Sequence, residues 1–232
     1  MQEHVEKWVS QFTQQVKALF GQRLRFVGLQ GSQRRGEATE ESDVDLVVIL
    51  DQVEPEDLAA YRQMLSHLTP SVKPCGFIGG WEDLERWPGH ELFQFCGDTV
   101  AIYGSLASIA SKVTWQDAAL AVRLGAAGLY HGVCHSLVYD DQPAMALSGL
   151  YKAVFYPLQA LHYCRTGEFA DTRKALLDRL EGMERRLMEA GICWKELAQW
   201  DEEQQQELFE CLFDWSRSRL DYGRREEEES FS

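Results

Sequence analysis

The chain has 232 residues, of which 45% are hydrophobic and 11% aromatic, and its formal net charge is -14. This length and composition provide enough apolar surface for a sizeable core, in one extended domain or in two. The acidic balance excludes a broad surface that follows the phosphate backbone of duplex DNA.

The sequence also speaks against a membrane or secreted protein. No segment approaches the roughly 18 consecutive apolar residues of a membrane span, and the first residues include acids instead of the apolar core of a secretory signal. The six cysteines contain no CxxC pair and are typical of free thiols in a reducing compartment. We therefore expect a cytoplasmic protein that does not bind membranes.

The first hundred residues alternate helix and strand signals. Apolar residues at helical spacing predict an opening amphipathic helix, and short apolar runs bounded by turn residues predict strands. The predicted elements in chain order are a helix ending near Gly21, strands over 24–30 and 43–50, a helix over 56–68, and strands over 72–80 and 99–106. This order indicates a small mixed-sheet α/β unit.

Beyond Leu106 only helical patterns follow. Thr114 and Asp117 have the spacing of a capping box, which marks the start of a helix. The predicted helices run to about Tyr139, over 147–165 with a kink at Pro157, over 170–191 and over 201–220. The sequence therefore predicts an α+β protein: a mixed-sheet domain over 1–108, an α-helical bundle over 109–223 and a disordered acidic tail over 224–232.

The segment "GSQRRGEATEESDVDL" carries the chemistry. Side chains alternate along a strand, so Asp43 and Asp45 project to the same side, where together they can bind one Mg²⁺. Upstream lies "GSQRRG", residues 31–36, which we call the glycine turn. Gly31 allows close approach of backbone to a phosphate, Ser32 adds a hydroxyl, and a short helix here aims N–H groups at an anion. These parts indicate a site for a metal and a nucleotide phosphate.

This segment resembles the signature of the nucleotidyltransferase superfamily, the family of DNA polymerase beta-like folds. The shared features are the Gly-Ser pair, the Arg35-Gly36 turn and Asp-x-Asp opening a strand. The stretch "LYKAVFYPLQALHYCRTGEFADTRKALL" is similar to the helical second domain of bacterial small-molecule nucleotidyltransferases of the kanamycin or aminoglycoside type. The resemblance implies a polymerase-beta-like domain followed by a helical domain.

The chemistry implied by the resemblance is nucleotidyl transfer, in which an acceptor hydroxyl attacks the α-phosphorus of a nucleoside triphosphate and pyrophosphate leaves. Asp43 and Asp45 would be the catalytic, metal-binding residues for Mg²⁺. Gly31 and Ser32 would hold the triphosphate. Arg35 would contact a phosphate or only fix the turn. Lys152 is a further candidate for binding the triphosphate, with a surface role as its alternative.

One feature departs from the family pattern. Active members usually add a third carboxylate from a later strand, and the corresponding segment here, "VKPCGFIGG", contains no acid. The candidate substitutes are Glu82, Asp83, Asp98 and Glu168. If none of them serves, the site binds nucleotide without efficient turnover.

We expect a nucleotidyltransferase that moves a nucleoside monophosphate, AMP from ATP, to a hydroxyl of a small-molecule acceptor such as an aminoglycoside-type antibiotic. One alternative is a nucleotide-binding regulatory or antitoxin-like module with weak or no catalysis. A second alternative is nucleotidylation of a protein or RNA. The expected partners are a nucleoside triphosphate and the acceptor, without duplex DNA, and a homodimer is left open.

Overall fold

The structure is a computed structural model that describes residues 3–68 and 72–224. It has α+β architecture, as expected: a four-stranded mixed sheet with helices in the first half, and helices in the second half. The chain divides into two compact units, Met1–Lys112 and Val113–Ser232. The expected acidic tail lies outside the described residues, apart from Arg224.

The first unit follows the predicted order of helices and strands. Its elements are α1 (Glu3–Phe20), β1 (Leu24–Gln30), α2 (Gly31–Arg35), β2 (Val44–Leu50), α3 (Pro55–His67), β3 (Pro74–Gly80), α4 (Trp81–Leu84), α5 (Gly89–Gly97), β4 (Val100–Tyr103) and α6 (Ala107–Ala110). The segment between β3 and β4, for which the predicted order has no element, forms the two short helices α4 and α5. Asp43 lies one residue before β2 and not within it.

The sheet has the strand order β3-β2-β1-β4 in the described residues. The central strands β1 and β2 are antiparallel, and β4 is antiparallel to β1. In contrast, β3 is parallel to β2, because the intervening helix α3 carries the chain back to the starting edge. The first residues of β2 and the first residues of β3 therefore lie side by side.

Side chains along β2 point alternately to the two faces of the sheet, with an apolar core on one face and Asp45 on the other. Val44, Leu46, Val48 and Leu50 are nearly fully buried in a core that includes the apolar face of α1. The residues of α1 in this core are Val5, Trp8, Val9, Phe12, Val16 and Phe20. Asp45 projects to the opposite side of the sheet from this core, as the period of two predicted.

Aromatic side chains cover part of the other face of the sheet. The ring of Phe77 on β3 lies 5.0 Å from that of Trp87 and 6.0 Å from that of Phe95, centroid to centroid. The Trp87 and Phe95 rings are 5.4 Å apart in an edge-on arrangement. Such tilted contacts are typical of packed cores, so these rings anchor α5 against β3.

The second unit is helical in its described residues. Its helices are α7 (Trp115–Tyr139), α8 (Ala144–Ala153), α9 (Phe155–Thr166), α10 (Arg173–Leu177), α11 (Gly182–Ile192) and α12 (Glu202–Arg217). The predicted capping box of Thr114 and Asp117 is present at the start of α7. The described residues contain no helix that is both long and apolar enough to cross a membrane.

Two predicted helices of the second unit are interrupted. The helix expected over 147–165 breaks at Val154 and not at Pro157, which lies in the first turn of α9. Proline is tolerated in a first turn because its missing N–H would have no helical partner there. The helix expected over 170–191 divides into α10 and α11, and Gly182 at the new start has a φ of 56°.

Candidate functional site

The glycine turn follows β1 directly and lies against the first residues of β2. Gln30, the last residue of β1, pairs with Asp45 across the antiparallel ladder. Gly31 then turns the chain with a φ of 68°, a conformation that L side chains rarely adopt. A Cβ built on Gly31 would lie 2.0 Å from Oδ2 of Asp45. Only glycine therefore allows the turn to approach this carboxylate so closely.

Asp43 stands two residues before Asp45, at the mouth of the strand. Its Oδ1 lies 2.9 Å from Nζ of Lys73, and the Lys73 side chain is 79% exposed. Lys73 comes from the segment just before β3, which runs parallel to β2. The long, exposed side chain of Lys73 therefore supplies a positive charge to the pair of carboxylates.

The Asp45 carboxyl is half-buried and electrostatically strained. Burial and then the neighbouring Asp43 carboxylate raise the pKa of Asp45, and the more distant Asp98 adds to the effect. A hydrogen bond from the Cys75 thiol and the charge of Arg35 lower this pKa, but the net shift is upward. Two adjacent carboxylates in a partly buried place favour a bound cation, which would stabilise their ionised forms.

Ser32 and Arg35 both lie in α2, within the glycine turn. The half-buried Ser32 accepts a hydrogen bond through its backbone carbonyl from the N–H of Glu37, at 2.9 Å. The Arg35 side chain is only 5% exposed, and its guanidinium donates to the carboxylates of Asp98 and Glu37. These contacts would suit a residue that fixes the turn, and both roles considered for Arg35 stay predictions.

Three of the acids considered as the third carboxylate belong to the first unit, and they lie at different ends of the sheet. Glu82 and Asp83 lie in α4, after the end of β3 that is remote from Asp45. Asp98, by contrast, reaches the glycine turn and accepts a hydrogen bond from the N–H of Gly31 at 3.3 Å. The strand residue that pairs with Asp45 on β3 is Cys75. Its thiol occupies the place next to Asp45 on a strand that carries no acid.

Lys152 and Glu168 belong to the second unit. Nζ of Lys152 on α8 lies over the ring of Trp194, 5.1 Å from its centroid. A carboxylate oxygen of Glu168 is 3.9 Å from the guanidinium of Arg179. The roles considered for Lys152 and Glu168 stay predictions.

The sequence did not single out Lys73 or Cys75. The available signal was the strand–helix–strand order of β2, α3 and β3, because such a crossover normally joins parallel neighbours. Parallel pairing places the start of β3 beside the start of β2, and with it these two residues. The exact register, with Cys75 opposite Asp45, emerges only from the folded sheet.

The donors around Asp43 suit a hard cation that completes its shell with other ligands. Carboxylate oxygens are the protein ligands that Mg²⁺ prefers, and Lys73 already places a cationic group there. Within residues 3–68 and 72–224 no group of three or more His, Cys, Asp or Glu side chains is placed to hold a metal. A bound Mg²⁺ would therefore need water or phosphate oxygens besides the two carboxylates.

Comparisons with known proteins agree with this geometry. Residues 9–85 match the family described as "Nucleotidyltransferase domain". A solved structure with the same fold is that of a spectinomycin adenyltransferase, AAD(9) from Enterococcus faecialis, with ATP and spectinomycin. The TM-score is 0.57 at 11% sequence identity, and the match covers 93% of this chain and 98% of that chain. The search of curated proteins gave no match.

The family match spans the elements from α1 to α4 and so includes the glycine turn, Asp43 and Asp45. The solved structure shares the fold over both halves of the chain, which confirms the expected helical second half. Residues 9–85 therefore match a nucleotidyltransferase domain, in agreement with the family and the enzyme class inferred from the sequence.

Proposed function

We propose that the chain transfers AMP from ATP to a hydroxyl group of a small-molecule acceptor in a metal-dependent reaction. The observation that carries this proposal is the contact between Gly31 and Asp45, with Asp43 at the same strand entrance. It brings the glycine turn, whose backbone we assign to a phosphate, next to two carboxylates suited to a cation. The domain family that matches residues 9–85 supports the same reaction class.

In this proposal Asp43 and Asp45 hold Mg²⁺. When bound, the ion would neutralise charge on the phosphate oxygens and on the attacking and leaving oxygens. The ion pair of Lys73 with Asp43 supports this assignment, because it places a positive charge at the same carboxylate. Because the Lys73 side chain is largely exposed, it can move away without uncovering a core.

Gly31 and Ser32 bind the triphosphate in this proposal, and Arg35 maintains the shape of the turn through Asp98 and Glu37. An acceptor oxygen forms a bond to the α-phosphorus while the bond to the bridging oxygen breaks, so pyrophosphate leaves and the acceptor proton passes to a base. A contribution of Lys152 to triphosphate binding is retained as a separate prediction.

The acceptor class is proposed from two observations. The solved structure of similar fold is described as an adenyltransferase with ATP and spectinomycin, a small-molecule acceptor. The net charge of this chain, -14, attracts polycationic molecules such as aminoglycoside-type antibiotics. We therefore propose a cationic antibiotic of this type as the acceptor.

One observation favours a second candidate, a nucleotide-binding regulatory or antitoxin-like module. The strand β3 pairs Cys75 with Asp45, and no residue of β3 is an acid. A thiol is a poorer ligand for Mg²⁺ than a carboxylate, because Mg²⁺ prefers oxygen ligands. Such a site would bind nucleotide and turn it over slowly.

Pyrophosphate release from Mg-ATP, measured with the purified chain across a panel of aminoglycoside-type acceptors, decides between the two candidates. If the chain is a transferase, pyrophosphate should be released only when a particular acceptor is present. Tight Mg-ATP binding without release for any acceptor would favour the regulatory module. Asp45→Asn should abolish Mg-dependent ATP binding, whereas Asp51→Asn, just beyond the opposite end of β2, serves as the matched control. Unchanged binding in Asp45→Asn would refute the site.

A further inference from the structure

Asp98 is a buried carboxylate at the junction between α5 and β4. It caps the C-terminal end of α5 and is 7% exposed, so it has lost most of its contact with water. Burying an ionised carboxylate is costly unless charged or polar partners compensate it. The partners of Asp98 therefore show why the fold keeps a charge there.

Those partners come from the glycine turn. The NH1 group of Arg35 donates to both carboxylate oxygens, at 2.8 Å and 2.7 Å. The N–H of Gly31 donates to Oδ2 at 3.3 Å. One carboxylate thus holds the first residue of α2 and the last, and it fixes the turn at both ends.

Neighbouring contacts join the same two segments. The side-chain amide of Gln30 donates to the hydroxyl of Thr99 at 2.6 Å and to the carbonyl of Phe95 at 3.3 Å. The guanidinium of Arg34 donates to the carbonyl of Gly97 at 3.3 Å. The glycine turn is therefore attached to the α5–β4 junction by several hydrogen bonds, of which those of Asp98 carry the charge.

The position of the turn matters because of its contact with β2. Gly31 is held against Asp45 at a distance that leaves no space even for a methyl group. A small displacement of the turn would therefore change the space that we assign to a phosphate. No direct hydrogen bond or ion pair joins Asp98 to Asp45 among the contacts of the described residues. Apart from the repulsion between the two carboxylates, Asp98 acts on the site through its hydrogen bonds with Gly31 and Arg35.

We propose that Asp98 is a positioning residue, which holds the glycine turn in the shape that binds the triphosphate. This inference rests on the proposed function, because it assigns the turn to a nucleotide. We assign Asp98 to positioning and not to metal binding, because Arg35 and Gly31 hold both of its oxygens against the glycine turn.

The test compares Asp98→Asn with Asp57→Asn. Asp57 is a matched control because it is 9% exposed and is held by the guanidinium of Arg23, at 2.8 Å, away from the glycine turn. Mg-ATP affinity and amide hydrogen exchange over residues 31–36 are measured for both variants. We expect Asp98→Asn to weaken Mg-ATP binding by about 10- to 100-fold, as losses of supporting ligands do. Exchange in the turn should rise only in this variant.

The outcomes separate this inference from the proposed function. If the unaltered chain fails to bind Mg-ATP, the proposed function is wrong, and unchanged exchange in the turn of Asp98→Asn would also overturn the role of Asp98. If the chain binds Mg-ATP, two results would overturn the role of Asp98. One is wild-type affinity for Mg-ATP in Asp98→Asn, and the other is an equal loss of affinity in Asp57→Asn.

A second variant covers the case in which Asp98→Asn does not fold. The double variant Arg35→Gln with Asp98→Asn removes both charges of the 2.7 Å ion pair between these residues, so Arg35 is not left as a buried guanidinium without its carboxylate. It should fold, show increased exchange in the glycine turn and bind Mg-ATP more weakly than the unaltered chain. Wild-type exchange and affinity in the double variant would contradict the proposal.

Discussion

Gly31 and Asp45 are in contact across the entrance of the sheet, with 2.0 Å between Oδ2 of Asp45 and the position that a Cβ of residue 31 would take. The left-handed backbone of Gly31 and the absence of its side chain are both needed for this contact. A residue whose side chain must be absent for two independent reasons provides a sensitive test of the site.

We expect Gly31→Ala to abolish Mg-ATP binding, because the added methyl group must displace the Asp45 carboxylate. Gly36→Ala is the matched control: Gly36 has a φ of 70°, yet a Cβ there would contact nothing within 4 Å. The control should lose about 1–2 kcal/mol of unfolding free energy from backbone strain while it still binds nucleotide. Calorimetric titration and thermal unfolding measure the two effects. Equal loss of binding in both variants would mean that the Asp45 contact is irrelevant.

The pKa of Asp45 should fall when Asp43 is changed to Asn. Burial raises this pKa first and the Asp43 charge second, so removal of the charge leaves only part of the upward shift. Carboxyl carbon resonances followed by NMR against pH, without metal, report the change directly. Asp51→Asn should leave the titration of Asp45 unaltered. A higher pKa for Asp45 in Asp43→Asn would contradict the electrostatic description of the pair.

Lys73→Met should increase the affinity of the nucleotide-free chain for Mg²⁺. The lysine ammonium and the metal compete for Asp43, and loss of the positive charge also makes the site more negative. Lys112→Met is the control, because Lys112 forms an exposed ion pair of the same length, 2.9 Å, with Glu85. Magnesium titrations of both variants decide the matter. Reduced affinity in Lys73→Met would mean that the lysine supports the metal site.

The acid stability of the first unit should depend on Asp57. The hydrogen bond from Arg23 is the main cause that holds the pKa of Asp57 below its usual range, and the N–H of Glu54 adds to it. A carboxylate with a lowered folded-state pKa stabilises the fold above its unfolded-state pKa of about 3.9 and loses this effect as the pH falls further.

Urea unfolding of Asp57→Asn across a series of pH values tests this linkage. Near neutral pH the variant should lose about 1–2 kcal/mol of unfolding free energy, the usual value of a charged hydrogen bond or cap. Below pH 4 the difference from the unaltered chain should shrink. A difference that stays constant down to acid pH would show that the ionised form of Asp57 has no special stabilising role.

The fold class and the central pair of acids could be predicted because they depend on local patterns. The period of two over 43–50 predicted that Asp43 and Asp45 share a side, and the structure buries Val44 and Leu46 on the other. Gly31 was expected for its backbone freedom, and the structure adds the close approach to Asp45 that makes glycine necessary.

The remaining contacts depend on residues far apart in the chain. Lys73 and Cys75 reach the acids through the parallel register of β3, and Asp98 through the packing of α5 and β4 on the turn. The break at Val154 is equally non-local in origin, since the sequence signal at Pro157 indicated a helix irregularity three residues later. No single-sequence pattern specifies these distances.

The chain order of the site also has a consequence for folding. One connection between the neighbouring antiparallel strands β1 and β2 contains Gly31, Ser32 and Asp43, and Asp45 follows immediately. Closing this short hairpin costs less chain entropy than recruiting β3 and β4 from later in the sequence. We therefore expect the glycine turn and the acidic pair to come together early in assembly, before β3 and β4 complete the sheet around them.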